Sequence, residues 1–108
     1  MSEASSNETL TALAAEVLEA ARAGNDLIAT AESCTGGLVS AALTSVPGSS
    51  DVFDRGFVTY TNTANSEMLG VPYWLIEKHG AVSEEVARAM AGGALAHSNA
   101  TIAVAITG

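Results

Sequence analysis

The sequence predicts an α/β fold, a three-layer α/β/α sandwich around a mostly parallel or mixed sheet. Apolar runs of strand length at 27–31, 56–61 and 101–106 are separated by segments whose apolar residues recur at three- and four-residue steps. The resulting order, α, β, α, β, several α, β, favours parallel pairing through helical crossovers. Composition agrees, since 48% of the 108 residues are apolar and only 15% are charged, as expected of one domain with a buried core.

Each element has a local reason. Residues 1–8 are small and polar and read as a flexible tail, with Ser5 and Glu8 spaced as a capping box, so the folded domain is expected over 9–108. The first helix places Leu10, Leu13, Val17 and Ala21 on its apolar face, with Glu16, Glu19 and Arg22 opposite and Gly24 as its stop. Leu27 to Ala31 suits a buried strand. Gly36 and Gly37 introduce a helix through Leu38, Val39, Ala42 and Leu43, closed by Pro47-Gly48. Gly56 to Thr61 is a strand on the strength of Phe57, Val58 and Tyr60.

From Asn62 the pattern turns helical. Asn62 is placed to cap a short helix ending at Gly70, Pro72 to open another, and Ser83 with Glu84 and Glu85 to start a third that buries Val86, Met90 and Ala94. Tyr73 and Trp74 read as a core or interface anchor. Gly92-Gly93, inside the third helix, reads as a close packing point. Thr101 to Ile106 carries no charge, which predicts a central strand covered on both faces. Folds of this kind place a ligand loop and more sheet after such a strand, so a chain stopping at Gly108 is expected to be an incomplete domain.

The bulk properties exclude several classes. Four Lys and Arg against twelve Asp and Glu give a net charge of -8, which repels phosphate backbones and argues against nucleic acid as a partner. Apolar stretches such as Ile102–Ile106 fall far short of the ~20 residues needed to span a bilayer, and no basic region followed by an apolar block opens the chain. With the single Cys34 unable to form an internal disulfide, the expected location is the cytoplasm. His79 and His97 stand at expected helix ends, a structural position, and make no metal signature. The chain has neither a P-loop nor a Gly-x-Gly-x-x-Gly turn.

The segment Ala31-Glu32-Ser33-Cys34-Thr35-Gly36-Gly37 is the candidate site, because it joins the end of the first strand to the start of a helix. A hydroxyl there is presented at the sheet edge, and the N–H groups of a helix start can hold a phosphate or a developing oxyanion. Ser and Thr before Gly-Gly also serve as ordinary helix caps, and spacing alone leaves both readings open. Cys34 reads as a small buried core residue rather than a nucleophile. Tyr60, at a strand end, is placed to reach the same edge or to pack with a solvated hydroxyl.

That segment, with Pro47-Gly48-Ser49-Ser50, Gly56-Phe57-Val58-Thr59-Tyr60-Thr61-Asn62, Met68-Leu69-Gly70-Val71 and His79-Gly80-Ala81-Val82-Ser83-Glu84-Glu85-Val86-Ala87, resembles the CinA C-terminal domain family, in register from about Leu10 to the last residue. The resemblance implies deamidation of nicotinamide mononucleotide to nicotinic acid mononucleotide and ammonia, in pyridine nucleotide recycling. It implies Ser33 as nucleophile and Tyr60 as a second catalytic residue, with Glu32, Thr35, Gly36, Gly37 and Asn62 around the substrate. It implies a small nucleotide as the partner; no cofactor and no metal are expected, and a sheet of three strands, small for this architecture, leads us to expect a homo-oligomer. In this family a lysine three residues after the asparagine takes the serine proton; here that position is Asn65, and the chain's one lysine, Lys78, matches a different, helix-end position. An amide is no base, so turnover is expected to fall by ~10²–10⁴-fold unless another group substitutes. The alternative is a catalytically impaired relative acting as a nucleotide-binding or structural oligomer component.

Overall fold

A computed structural model describes residues 3–108, with side chains from Glu8 onward. Helix α1 spans Glu3–Ala23, so Ser5 stands inside the helix rather than at its cap. Met1 and Ser2 of the expected tail lie outside the described residues. The chain continues through β1 (Ile28–Glu32), α2 (Leu38–Thr44), a short 3-10 turn (Ser49–Asp51), β2 (Phe53–Val58), α3 (Asn62–Leu69), α4 (Tyr73–His79), α5 (Glu84–Ala96) and β3 (Ile102–Ile106).

The three strands form one parallel sheet in the order β2-β1-β3. Strand β1 is central, and all five of its residues are buried. Its side chains alternate between two layers. Ala29 and Ala31 join a core with Leu69, Val71, Ile76, Val86, Met90 and Ala94 from the α3–α5 side. Ile28 joins Ala14, Leu18, Ala21, Leu43 and Val52 on the α1–α2 side. Each large side chain so enclosed contributes about 1.5–3 kcal/mol of transfer free energy.

Strand β3 corrects the expectation of a central position. Among the described residues it pairs only with β1, and Ile102 and Val104 are 46% and 43% exposed while Ala103 and Ala105 pack on the α5 side. An uncharged run of Ile, Val and Ala reports strand preference; whether a neighbour covers its second edge is a matter of topology. Strand β2 ends at Val58, three residues before the expected end, because beyond Thr59 the chain turns away through Tyr60 and Thr61 toward α3. Thr61, not Asn62, caps α3, its Oγ1 accepting from the Ala64 N–H at 3.0 Å.

The buried stripe of α1 keeps the expected Ala21 but is otherwise displaced. Ala14, Leu18 and Ala21 face the core, whereas Leu10, Leu13 and Val17 are about half exposed and border a shallow apolar groove of about 240 Å³ with Leu38, Val39 and Ala42 of α2. The two stripes differ by one position around the helix, and both satisfy the same period. Trp74 (62% exposed) and Tyr73 (46%) lie outside the core; the Tyr73 hydroxyl donates to Thr63 Oγ1 at 2.7 Å.

The expectations for α5 hold. Ser83 caps α5 through the Val86 N–H at 3.2 Å, and Val86, Met90 and Ala94 are fully buried. A Cβ on Gly93 would run into the Leu69 carbonyl, so this glycine is where α5 packs on the end of α3. His97 Nδ1 lies 2.8 Å from the Gly93 carbonyl at the end of α5, while His79 turns instead to Glu85 Oε2 at 3.2 Å. Among the described residues no helix is long and apolar enough to cross a membrane.

Candidate active site at the carboxyl edge of the sheet

The strands end level with one another, Glu32 standing opposite Val58 on one side and Ile106 on the other. Ser33 is therefore the first residue beyond the central strand, half-buried at the edge where open parallel sheets take their ligands. Its N–H donates to the Ile106 carbonyl at 3.0 Å and its Oγ donates to the same oxygen at 3.3 Å. Among the described residues no side chain makes a hydrogen bond to this hydroxyl, so it is held but has no base on it.

Glu32 points the other way, into the α1–α2 layer, and is fully buried. Its carboxylate accepts four hydrogen bonds: from Thr35 Oγ1 at 2.6 Å, from the N–H groups of Val39 and Ser40 at 3.0 Å each, and from Ser40 Oγ at 3.0 Å. Burial raises its pKa and is the largest single influence, but the hydrogen bonds from Thr35, Val39 and Ser40 together outweigh it and hold the group below the ordinary carboxylate range. The residue preceding α2, Gly37, has no side chain to cap the helix, and Glu32 does so from upstream.

This arrangement corrects the expectation that the α2 start offers free N–H groups to a phosphate or oxyanion. Val39 and Ser40 donate to Glu32, Leu38 to the Thr35 carbonyl at 3.1 Å and Ala41 to the Gly37 carbonyl at 2.9 Å. The turn ahead of the helix is different. Gly36 (φ 63°) and Gly37 (φ 100°) both take the left-handed conformation, and their N–H groups meet no acceptor among the described residues. Cys34, expected in the core, is exposed, with Gly108 beside its sulfur.

The second wall of the edge is the turn from β2 to α3. Thr59 continues the contact with β1, its N–H donating to the Glu32 carbonyl at 2.9 Å. Its hydroxyl donates to Asn65 Oδ1 at 2.6 Å, and both side chains are buried. Tyr60, 88% exposed, and Asn62, also exposed, project to solvent from this turn. Asn65 is thus an internal tie beneath the turn and does not reach the open edge.

Three features of the edge were not singled out from the sequence. Ser40 bonds both Glu32 and Thr30 Oγ1, the latter at 2.6 Å, and a Cβ on Gly56 would collide with this pair. Ser40 has no local signal, because its partners are strands brought to it by the fold. Thr107 Oγ1 donates to the Ala81 carbonyl at 2.8 Å, fastening the end of β3 to the loop before α5. Beside it an open cleft of about 420 Å³ runs between Val82, Ser83 and Glu84 and the strand end at Ala105 to Thr107.

Fold and site together define an α/β domain that presents a serine-bearing turn at the carboxyl edge of a parallel sheet. The chain belongs to the CinA family: the sequence profile of the CinA C-terminal domain matches residues 10–108. It is 62% identical over 81 residues to a CinA-like protein of Mycobacterium marinum, covering 75% of this chain and 19% of that protein. It is 47% identical over 103 residues to the nicotinamide-nucleotide amidohydrolase PncC of Enterobacter agglomerans, covering 95% of this chain and 63% of that protein. The crystal structure of the competence/damage inducible protein CihA from Agrobacterium tumefaciens matches with a TM-score of 0.88 at 49% identity, over 92% of this chain and 60% of that one. This chain therefore spans about a fifth of the longer CinA-like relatives and less than two thirds of the amidohydrolase.

Proposed function

We propose that this chain carries the serine-bearing part of a nicotinamide-nucleotide amidohydrolase site, acting on nicotinamide mononucleotide to give nicotinic acid mononucleotide and ammonia. The observation that carries the reading is Ser33, held by the Ile106 carbonyl at the open edge of the sheet. The kinship with the PncC amidohydrolase supplies the substrate. Ser33 Oγ attacks the carboxamide carbon, its proton passes to the nitrogen as the C–N bond breaks and ammonia leaves, and water then cleaves the acyl-enzyme ester, its oxygen going to the acid and a proton returning to Ser33 Oγ. The N–H groups of Gly36 and Gly37, which meet no acceptor among the described residues, are available in the same turn for the developing oxyanion. Thr35 shapes the turn, and Tyr60 and Asn62 meet the nucleotide from the opposite wall.

Asn65 favours a second reading. Its amide is buried against Thr59, and the serine donates to a backbone carbonyl rather than to a base. A chain in that state binds the nucleotide with turnover lower by ~10²–10⁴-fold. The test is chromatographic detection of nicotinic acid mononucleotide from the unaltered chain, Ser33→Ala and Asn65→Lys. Product that disappears in Ser33→Ala supports the amidohydrolase. Product formed only by Asn65→Lys favours the impaired binder, and its absence from all three removes the catalytic reading.

A further inference from the structure

We infer that Glu32 is a positioning residue for Ser33, an internal anion that fastens the serine-bearing turn to α2 and closes the start of that helix to any substrate phosphate. The inference rests on the amidohydrolase reading for its kinetic consequence and on geometry for the rest. Glu32 and Thr35 bracket Ser33, Cys34 and the entry to Gly36, and the 2.6 Å bond from Thr35 to the Glu32 carboxylate pulls the two ends of this segment together. The same carboxylate reaches Val39 and Ser40, so strand, turn and helix share one buried anchor. On its main-chain side Glu32 is fixed as well, its carbonyl accepting from Thr59 and its strand paired on both edges.

Without that anchor, Gly36 and Gly37 leave the turn free to rotate, since glycine resists neither left-handed nor right-handed backbone. Ser33 would keep its place in the chain but lose its aim. The anchor also has an electrostatic result. A helix start attracts anions through unpaired N–H groups and its dipole, and here a carboxylate of the protein already occupies both. A dianionic phosphate brought to the same place would meet no free donor on α2 and a buried negative charge behind it. The substrate phosphate is thus held elsewhere on the edge, and Glu32 touches no substrate atom.

The decisive variant is Glu32→Gln, which keeps the volume but turns an amide NH₂ toward donors that need an acceptor. We expect kcat for nicotinamide mononucleotide to fall by about 10–100-fold, the usual effect of a small misplacement of a reacting group. KM should stay within about threefold, since no substrate contact is lost. Amide hydrogen exchange at Val39 and Ser40, whose N–H groups donate to the Glu32 carboxylate, should rise by roughly tenfold or more relative to Ala29 and Ala31, reflecting a lost hydrogen bond to a charged group. Thr35→Val removes one tie without leaving a buried mismatch and should show the same exchange pattern if Glu32→Gln does not fold. Inorganic phosphate should leave the amide resonances of Val39 and Ser40 in the unaltered chain unmoved.

A KM increase with kcat intact would make Glu32 a substrate contact and overturn the inference, as would phosphate-dependent shifts at Val39 and Ser40. Unchanged exchange at Val39 and Ser40 in the variants would do the same. If the unaltered chain forms no product above the Ser33→Ala background, the amidohydrolase reading fails by itself, and the exchange and phosphate measurements still decide the role of Glu32.

Discussion

Thr59 donates its hydroxyl to Asn65 Oδ1 across 2.6 Å, with 3% and 2% of the two residues exposed. The pair fixes the turn that carries Tyr60, and it occupies the position at which this family is expected to hold a lysine. Asn65→Ala leaves a buried hydroxyl without its acceptor and should cost about 1–3 kcal/mol in urea unfolding. The double variant Thr59→Val with Asn65→Leu removes both polar groups and should be less destabilised than the sum of the singles. Strict additivity of the two changes would show that the bond contributes nothing.

Glu32 sets an acid limit. Its folded-state pKa lies below the unfolded reference of 4.5, so its stabilisation is fully present above that reference. It is lost as the pH falls through the depressed folded value, where the carboxylate must take up a proton and surrender its hydrogen bonds. Urea midpoints for the unaltered chain should therefore decline below about pH 4.5, and more steeply than those of Glu32→Gln, which has no charge to lose at this site. Parallel curves for the two proteins would remove Glu32 from the acid response.

The adjacent glycines of α5 should respond in opposite directions. Gly92 has open space where a Cβ would stand, so Gly92→Ala should stabilise by about 0.5–1 kcal/mol through helix propensity. Gly93→Ala would press against the Leu69 backbone and should destabilise by about 1–3 kcal/mol. Thermal unfolding of the two variants reads the difference directly, and equal shifts would contradict the packing of α5 on α3.

Cys34 lies on the exposed side of the serine turn and should be alkylated by iodoacetamide in the folded chain, nearly as fast as in urea at the same pH. Protection that is lifted only by denaturant would mean that this turn is covered in solution.

Much of this protein was legible in the sequence. Period and punctuation located the three strands and α2 to α5 to within a few residues, because Gly37, Pro72, Ser83 and Gly70 act on the backbone next to them, whereas α1 begins at Glu3, inside the expected tail. The five matching segments likewise carry the resemblance to the CinA family in local sequence alone. What local pattern does not carry is relative placement. Two helical stripes of α1 have the same period, and only docking against Ile28, Leu43 and Val52 selected Ala14 and Leu18, beside the expected Ala21, over Leu10, Leu13 and Val17. Strand β3 has the composition of a central strand, yet pairing put β1 in the middle.

The site divides in the same way. Ser33 and its turn could be named from their order along the chain, since a strand followed by Gly-Gly and a helix already implies an exposed bend. The role of Glu32 could not, because it depends on which face of β1 its side chain takes and on α2 lying against that face. Local sequence determined where the backbone bends and which groups stand at the bend. Tertiary packing decided which of those groups point to solvent and which are consumed inside, since a buried charge or amide is stable only where distant donors and acceptors converge on it.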